Sequence, residues 1–196
     1  ATSRNFAPRA LGGGGFMLIY QARTKEIVAI DFWQKAPLRS TVDMFLDGKG
    51  GADSRLSRQS HLATAVPGTV AGLAMILEKY GTIPLAKALE PAVSHARHGF
   101  VLNEKLVADM TGYEDLLRSF PATRRIFFKP DGRMYEPGDL FIQTDLAGTL
   151  ELIGKEGPKV FYEGIIGQKM VRQIEADGGI MTTKDLAEYR PVVRSP

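Results

Sequence analysis

The chain has 196 residues, 44% of them hydrophobic and 24% charged, and it carries a formal net charge of +3 at pH 7. This composition excludes disordered and collagen-like proteins, and no apolar run approaches the roughly 20 residues of a membrane-spanning helix, so we expect no membrane span. Basic and acidic residues are interspersed and cysteine is absent, so we expect neither a nucleic-acid partner nor disulfides or thiolate metal sites.

The four glycines at residues 12–15 allow two interpretations, a phosphate-binding loop or a close approach between backbone segments. A phosphate loop is followed by a helix, whose N-terminal N–H groups bind the anion. Here a β-prone run follows, no strand pattern precedes the glycines, and no Gly-Lys-Ser/Thr sequence follows them. We therefore predict that these glycines let the backbone approach or bend closely before a central strand.

Two apolar runs, residues 16–20 and 27–30, flank a polar stretch and predict a β-hairpin with its turn near Thr24 and Lys25. Both runs are apolar on both faces, so we expect the hairpin to lie in a sheet covered on both sides. Residues 47–60 are rich in Gly, Ser, Asp and Arg and predict an exposed loop.

From Pro67 onward the apolar residues recur with a helical period. This pattern predicts a helix that ends at Tyr80, with Gly81 in the left-handed cap conformation. A second helix should run to Gly99 with a break or kink at Pro91, because proline removes a helical hydrogen bond.

The rest of the chain predicts further helices and one turn. Helices are expected over residues 104–118, 145–157 and 164–179, with a turn at residues 130–132. Thr182 and Asp185 have the spacing of a capping box, which predicts the start of a short helix. A sheet followed mainly by helices predicts the α+β class.

A series of segments resembles the large-subunit region of γ-glutamyltransferases (glutathione hydrolases), in the family's order and spacing. These segments are GGGGFMLIY, AIDFWQKAP, DMF, VPGTVAGLAMILEKYGTIPLAKALEPAVSHARHGF, EGPKVFYEG and DGGIMTTKDLAEYRPVVR. The start of the chain does not resemble the family. We therefore expect an unmatched N-terminal segment, residues 1–10, and a large-subunit fragment, residues 11–196.

The resemblance implies a partial N-terminal-nucleophile hydrolase fold, an αββα sandwich represented here by one sheet hairpin and a mostly helical layer. Members of the family are precursors that cleave themselves into a large and a small subunit. The N-terminal threonine of the small subunit attacks a γ-glutamyl amide, and the acyl group then passes to water or an amine. The matching threonine lies beyond Pro196, so we expect no catalytic residue in this chain.

The resemblance also implies partners and a location. We expect a small γ-glutamyl substrate such as glutathione, the remainder of the precursor or small subunit as partner, and no cofactor. The compartment implied by the family is periplasmic or secreted, although the first ten residues lack the apolar core of a signal peptide.

His95 and His98 could share a helix face, but without a further ligand in register we expect no metal.

Trp33 and Gln34 stand where the family carries an arginine followed by a glutamate. That arginine pairs with the α-carboxylate of the γ-glutamyl group through its planar fork, which the uncharged Trp33 cannot replace. Trp33 could simply pack against the end of the strand. It could also line a pocket for an acyl chain without an α-carboxylate, as in glutaryl or cephalosporin acylases.

Lys35 is the second candidate substrate-binding residue. In an extended segment, residues 33 and 35 point to the same side, so Lys35 could place a charge near the position of the missing arginine. The alternative is a solvated surface lysine. The sequence therefore leaves three functions open: a γ-glutamyltransferase, a glutaryl or cephalosporin acylase-like amidohydrolase, and a non-catalytic scaffold fragment.

Overall fold

The computed structural model describes residues 11–195. The predicted unmatched segment, residues 1–10, lies outside the described residues. The described chain divides into two compact units, one made of residues 86–151 and the other of residues 11–85 and 152–195. Within this described part, no helix has both the length and the apolar character needed to cross a membrane.

The described residues contain ten α-helices, one 3-10 turn and five strands, which confirms the predicted α+β class. The strands are β1 Phe16–Gln21, β2 Glu26–Asp31, β3 Phe100–Val101, β4 Leu140–Phe141 and β5 Val192–Arg194. The helices up to the middle of the chain are α1 Leu56–Gln59, α2 Thr69–Tyr80, α3 Leu85–His98, α4 Glu104–Thr111, α5 Glu114–Ser119 and α6 Pro121–Phe127. The later ones are α7 Thr144–Glu156, α8 Lys159–Tyr162, α9 Ile165–Ala176 and α10 Thr183–Ala187, and the 3-10 turn is His61–Ala63.

The predicted hairpin is confirmed, with β1 and β2 antiparallel and Lys25 at a φ of 59° in the turn. Strand β5 pairs with the other side of β2 and completes a three-stranded sheet. The expectation that this sheet is covered on both sides is wrong for the described chain. Phe16, Leu18 and Tyr20 alternate along β1 and are each more than 60% exposed, because the described residues place no layer on that face.

The predicted close backbone approach of the glycines is also confirmed. Gly15 and Phe32 exchange two backbone hydrogen bonds of 3.2 and 2.9 Å, which extend the β1–β2 ladder by one pair. A Cβ atom at Gly14 would lie 2.6 Å from the carbonyl oxygen of Phe32 and 2.7 Å from the backbone nitrogen of Gln34. Position 14 therefore requires a glycine, because its backbone lies against the residues that follow β2.

The N-terminus of α2 is capped from elsewhere in the same unit. The carbonyl of Gly13 accepts hydrogen bonds from the N–H groups of Gly68 and Thr69 at 2.8 and 3.1 Å. The hydroxyl of Tyr162 accepts from the N–H of Ala71 at 3.1 Å and donates to the carbonyl of Pro67 at 2.9 Å. The first N–H groups of a helix have no partner within the helix. In α2 these groups bind Gly13 and Tyr162, because its N-cap residue, Gly68, has no side chain that could cap them.

The helices differ from the predictions at Gly81, at Pro91 and over residues 104–118. Gly81 has a φ of −82°, so the predicted left-handed cap is wrong; a Cβ there would instead lie 2.5 Å from the Leu77 carbonyl oxygen. The predicted break at Pro91 is wrong as well, since the 14-residue helix α3 runs through it without interruption, although proline cannot donate a helical hydrogen bond. The single helix expected over residues 104–118 is two helices, separated at Gly112 and Tyr113.

Each unit has its own buried core. In the unit of residues 86–151, the side chains of Leu102, Met110 and Phe141 form a buried cluster. In the other unit, α8, α9 and α10 contact one another around fully buried side chains that include Phe161 and Leu186. The predicted capping box at the start of α10 is present in both of its hydrogen bonds.

Candidate functional site

Trp33 lies just after β2, at the end of the hairpin where β1 begins with Phe16. The preceding residue, Phe32, is buried, whereas 53% of Trp33 is exposed. The indole stacks on Phe16 with a ring-centroid distance of 5.5 Å and an interplanar angle of 16°. The two rings form an exposed apolar surface at the position where the resemblance places a substrate-binding arginine.

Both backbone groups of Trp33 are held by side chains. Its N–H donates to the Asp31 carboxylate at 2.9 Å, and its carbonyl accepts a hydrogen bond from the Tyr189 hydroxyl at 2.9 Å. The backbone at residue 33 is therefore fixed on both of its polar groups, while its side chain remains exposed.

Asp31 is an ionised anchor of this segment. The hydrogen bond from the Trp33 N–H lowers the pKa of Asp31, and the Arg194 guanidinium lowers it further against the opposing effect of burial. Arg194 places its Nε and one Nη each 2.7 Å from the same carboxylate oxygen. Charge-assisted contacts of this kind are stronger than neutral hydrogen bonds, and Arg194 is paired with Asp31 in this structure.

The ammonium group of Lys35 also has partners. Its Nζ donates to the carbonyl of Arg190 at 3.0 Å and lies 5.1 Å from the centroid of the Tyr189 ring. The backbone of Lys35 pairs with Val66 through two hydrogen bonds of 3.1 and 2.8 Å. A substrate carboxylate at Lys35 would have to compete with a backbone carbonyl and an aromatic face. The binding of substrate by Trp33 and Lys35 stays a prediction.

Tyr189 links the Trp33 segment to the core of its unit. It is only 4% exposed, and burial together with the charge of Asp31 raises its pKa to about 12, so the hydroxyl remains a donor. Its ring stacks on that of Tyr162 at 5.8 Å and 10°. A Cβ atom at Gly68 would overlap both the Tyr189 hydroxyl and the carbonyl of Phe32, so glycine is required there.

Sequence reasoning missed Asp31, Tyr189 and Arg194. An aspartate often accepts a hydrogen bond from the N–H two residues later, as Asp31 does from Trp33. This local turn signal could have identified Asp31 from the sequence. Tyr189 and Arg194 lie more than 150 residues from their partners, so no local pattern identifies them.

His95 and His98 show no sign of a metal centre. His98 Nδ1 lies 3.3 Å from the Ser94 hydroxyl. Across residues 11–195, no three His, Asp or Glu side chains gather as metal ligands. The expected absence of a metal, of a cofactor and of a catalytic residue in this chain stays a prediction.

Comparison with known proteins gives a consistent set of relatives. A family model described as Gamma-glutamyltranspeptidase matches residues 5–196. The glutathione hydrolase proenzyme of Escherichia coli (strain K12) is 44% identical over 187 residues, which are 95% of this chain and 32% of that protein. The glutathione hydrolase proenzyme of Pseudomonas sp. (strain A14) is 40% identical over 182 residues, 92% of this chain and 31% of that protein. The chain thus spans about a third of the length of these curated relatives.

Solved structures extend the comparison to the fold. The γ-glutamyltranspeptidase of Helicobacter pylori matches with a TM-score of 0.92 and 39% identity, covering 95% of this chain and 53% of that chain. A cephalosporin acylase from Bacillus halodurans matches with a TM-score of 0.79 and 22% identity, covering 95% of this chain and 35% of that chain. The acylase shares the fold alone at this identity. Together these neighbours confirm the predicted partial N-terminal-nucleophile hydrolase fold.

Proposed function

Because the chain belongs to the γ-glutamyltranspeptidase family, we propose that the protein containing it is a γ-glutamyltransferase that cleaves γ-glutamyl amides and transfers the acyl group to water or an amine. The observation that carries this proposal is the family match over nearly the whole chain. The nucleophilic threonine is proposed to lie outside these 196 residues. Its own α-amino group can then serve as the base that activates the hydroxyl.

The role proposed for this chain is structural support of the acyl-binding side of the site. Residues 11–196 form part of the large subunit, and the remainder of the precursor supplies the small subunit and the nucleophile. The donor is a small γ-glutamyl compound such as glutathione, and no cofactor takes part. A periplasmic or secreted location, as in the family, completes the proposal.

A second candidate, an acylase acting on amides without an α-carboxylate, is favoured by the surroundings of Trp33. The exposed Trp33–Phe16 pair offers apolar surface and no charge where a γ-glutamyl donor needs a cation. Two cations that contact this segment are engaged, Arg194 by Asp31 and Lys35 by the carbonyl of Arg190. An acyl chain ending in an uncharged or apolar group would fit this environment better than an α-carboxylate.

The test uses the full-length precursor. Denaturing gels report cleavage into two subunits, and initial rates are measured on γ-glutamyl-p-nitroanilide and on butyryl-p-nitroanilide, whose acyl chain carries no carboxylate. A higher kcat/KM on the γ-glutamyl compound supports the transferase, and a higher value on the butyryl compound supports the acylase. A precursor that neither cleaves itself nor turns over either amide would make the non-catalytic scaffold the correct description.

The matched control replaces the threonine at the new N-terminus of the small subunit with alanine. This variant should lose both self-cleavage and amide turnover. Residues 11–196 expressed alone should likewise turn over neither compound, because they lack the nucleophile.

A further inference from the structure

Tyr189 and Tyr162 are stacked on each other, but their hydroxyl groups contact different parts of the chain. The Tyr189 hydroxyl donates to the carbonyl of Trp33 at 2.9 Å. The Tyr162 hydroxyl is bonded to Pro67 and Ala71 at the start of α2. One tyrosine therefore contacts the candidate site directly, and the other holds a helix end.

We propose that Tyr189 is a positioning residue that sets the orientation of the side chain at position 33 in the acyl-binding pocket. This inference rests on the proposed function in one respect, namely that the surroundings of residue 33 are an acyl-binding pocket. With Asp31 holding the N–H and Tyr189 the carbonyl, both peptide groups that flank the Cα of residue 33 are fixed. The direction in which its side chain leaves the backbone is therefore fixed as well.

Tyr189 is itself held in place, which a positioning residue requires. Its ring is buried, stacks on Tyr162 and is contacted by the ammonium of Lys35 at 5.1 Å. Gly68 leaves the space that the hydroxyl occupies, since a Cβ there would overlap it. The hydroxyl therefore cannot follow residue 33 if that residue shifts, and its hydrogen bond resists such a shift.

The position of Lys35 gives it a role in the same arrangement. Its Nζ joins the Tyr189 ring to the carbonyl of Arg190, while its backbone pairs with Val66. The segment after β2 is thus tied to the segment after α10 by two contacts, through Tyr189 and through Lys35. Only the contact of Tyr189 reaches residue 33 itself.

The experiment compares Tyr189→Phe with Tyr162→Phe in the full-length, self-processed protein. Each change removes one hydroxyl and keeps the ring, so stacking is retained in both. We expect Tyr189→Phe to raise the KM of the preferred amide about three- to tenfold with kcat within about twofold, because binding by residue 33 is shared by ground and transition states. Tyr162→Phe should lower the melting temperature and leave KM unchanged.

A second readout follows Trp33 without any turnover. Trp33 is the only tryptophan of the 196 residues, and its ¹⁹F resonance in 5-fluorotryptophan-labelled protein can be assigned by its loss in Trp33→Phe. Tyr189→Phe should shift or broaden this resonance, whereas Tyr162→Phe should leave it in place. Melting curves of both variants establish that each is folded.

The outcomes separate this proposal from the proposed function. An unchanged KM and an unchanged ¹⁹F resonance in Tyr189→Phe would overturn the positioning role, as would equal changes in Tyr162→Phe. If the wild-type protein turns over neither amide, the proposed function fails, and the ¹⁹F comparison still decides whether Tyr189 positions residue 33.

Discussion

The carboxylate of Asp185 accepts a hydrogen bond of 2.6 Å from the backbone N–H of Leu38, which lies 147 residues earlier in the sequence. The same carboxylate accepts hydrogen bonds of 2.7 Å from both the N–H and the hydroxyl of Thr182. Burial raises the pKa of Asp185, but these hydrogen bonds outweigh it and hold the pKa below its ordinary value of 3.8. One ionised side chain thus caps α10 and fixes the segment that follows Lys35.

Replacing this carboxylate should make stability depend less on pH. Folding lowers the pKa of Asp185, so the ionised carboxylate contributes its full stabilisation at pH values above the unfolded pKa of 3.8. This contribution is lost as the pH falls through the lower pKa of the folded state. We expect Asp185→Asn to lower the free energy of unfolding by about 1–3 kcal/mol at pH 7, and the difference to shrink below pH 4. Urea titrations of the full-length protein between pH 3 and 7 measure it.

The control for this experiment is Asp109→Asn, which alters an exposed carboxylate that pairs with Lys105 at 3.5 Å. That variant should track the wild type at every pH. A difference between Asp185→Asn and the wild type that grows on acidification would contradict the assignment of Asp185 as an ionised anchor.

Trp33→Arg should improve the use of γ-glutamyl donors by the full-length enzyme, because an arginine fork can bind the α-carboxylate at two points. A gain of about tenfold or more in kcat/KM on γ-glutamyl-p-nitroanilide would correspond to at least ~1.4 kcal/mol in the transition state. Activity on butyryl-p-nitroanilide, whose acyl chain has no carboxylate to pair with the arginine, should fall or stay level. Trp33→Lys, which adds the charge without the fork, should give a smaller gain.

The opposite result would be equally informative. If wild-type turnover of the γ-glutamyl donor is high and falls in Trp33→Arg, the carboxylate is bound by Lys35 or by a residue outside this chain. Lys35→Ala would then separate those two possibilities, because a rise in KM on the γ-glutamyl donor that is absent on butyryl-p-nitroanilide would identify Lys35 as the partner of the carboxylate.

Thr69→Val probes a buried hydroxyl at the first residue of α2. Thr69 is 7% exposed, and its Oγ1 has no hydrogen-bond partner among residues 11–195. An unsatisfied buried polar group costs about 1–3 kcal/mol, so the isosteric valine should leave the melting temperature unchanged or raise it. Thr182→Val, which removes a hydroxyl that caps α10, should lower it by the equivalent of about 1 kcal/mol. A clear loss of stability in Thr69→Val would place a partner for the hydroxyl outside these residues.

Two glycines within helices should respond oppositely to alanine. A Cβ atom at Gly72 in α2 would overlap the ring of Phe32, whereas one at Gly148 in α7 has nothing within 4 Å. We expect Gly148→Ala to stabilise the protein by about 0.5–1 kcal/mol through helix propensity, and Gly72→Ala to destabilise it by about 1–3 kcal/mol through overpacking. Thermal melts of the two variants give the comparison, and equal shifts of the same sign would contradict it.

Local signals predicted the local parts of the fold. The hairpin turn at Lys25 and the capping box of Thr182 and Asp185 depend on residues within a few positions of one another, and both are confirmed. Pro91 misled the prediction because a single missing hydrogen bond does not interrupt a helix of 14 residues. Gly81 misled it because the glycine is required by the nearby Leu77 carbonyl, not by a positive φ.

The sequence predicted two residues of the candidate site but none of their partners from the end of the chain. Trp33 was identified because it departs from a family pattern, and Lys35 because it lies two residues further along an extended segment. Their partners Tyr189, Arg190 and Arg194 come from the far end of the chain, and only folding brings them to the end of β2. Patterns in a single sequence report periodicity and spacing, so contacts across more than 150 residues leave no trace in them.

Strand β1 is an open template for strand addition when residues 11–195 stand alone. Within the described chain it pairs with β2 on one side only, and its sequence FMLIYQ carries neither a charge nor a proline. Uncharged, unprotected edge strands recruit other strands and promote aggregation. Expression of this stretch without the rest of the precursor should therefore yield insoluble, β-rich material, and productive folding would require a covering segment to reach β1 before another copy of the chain does.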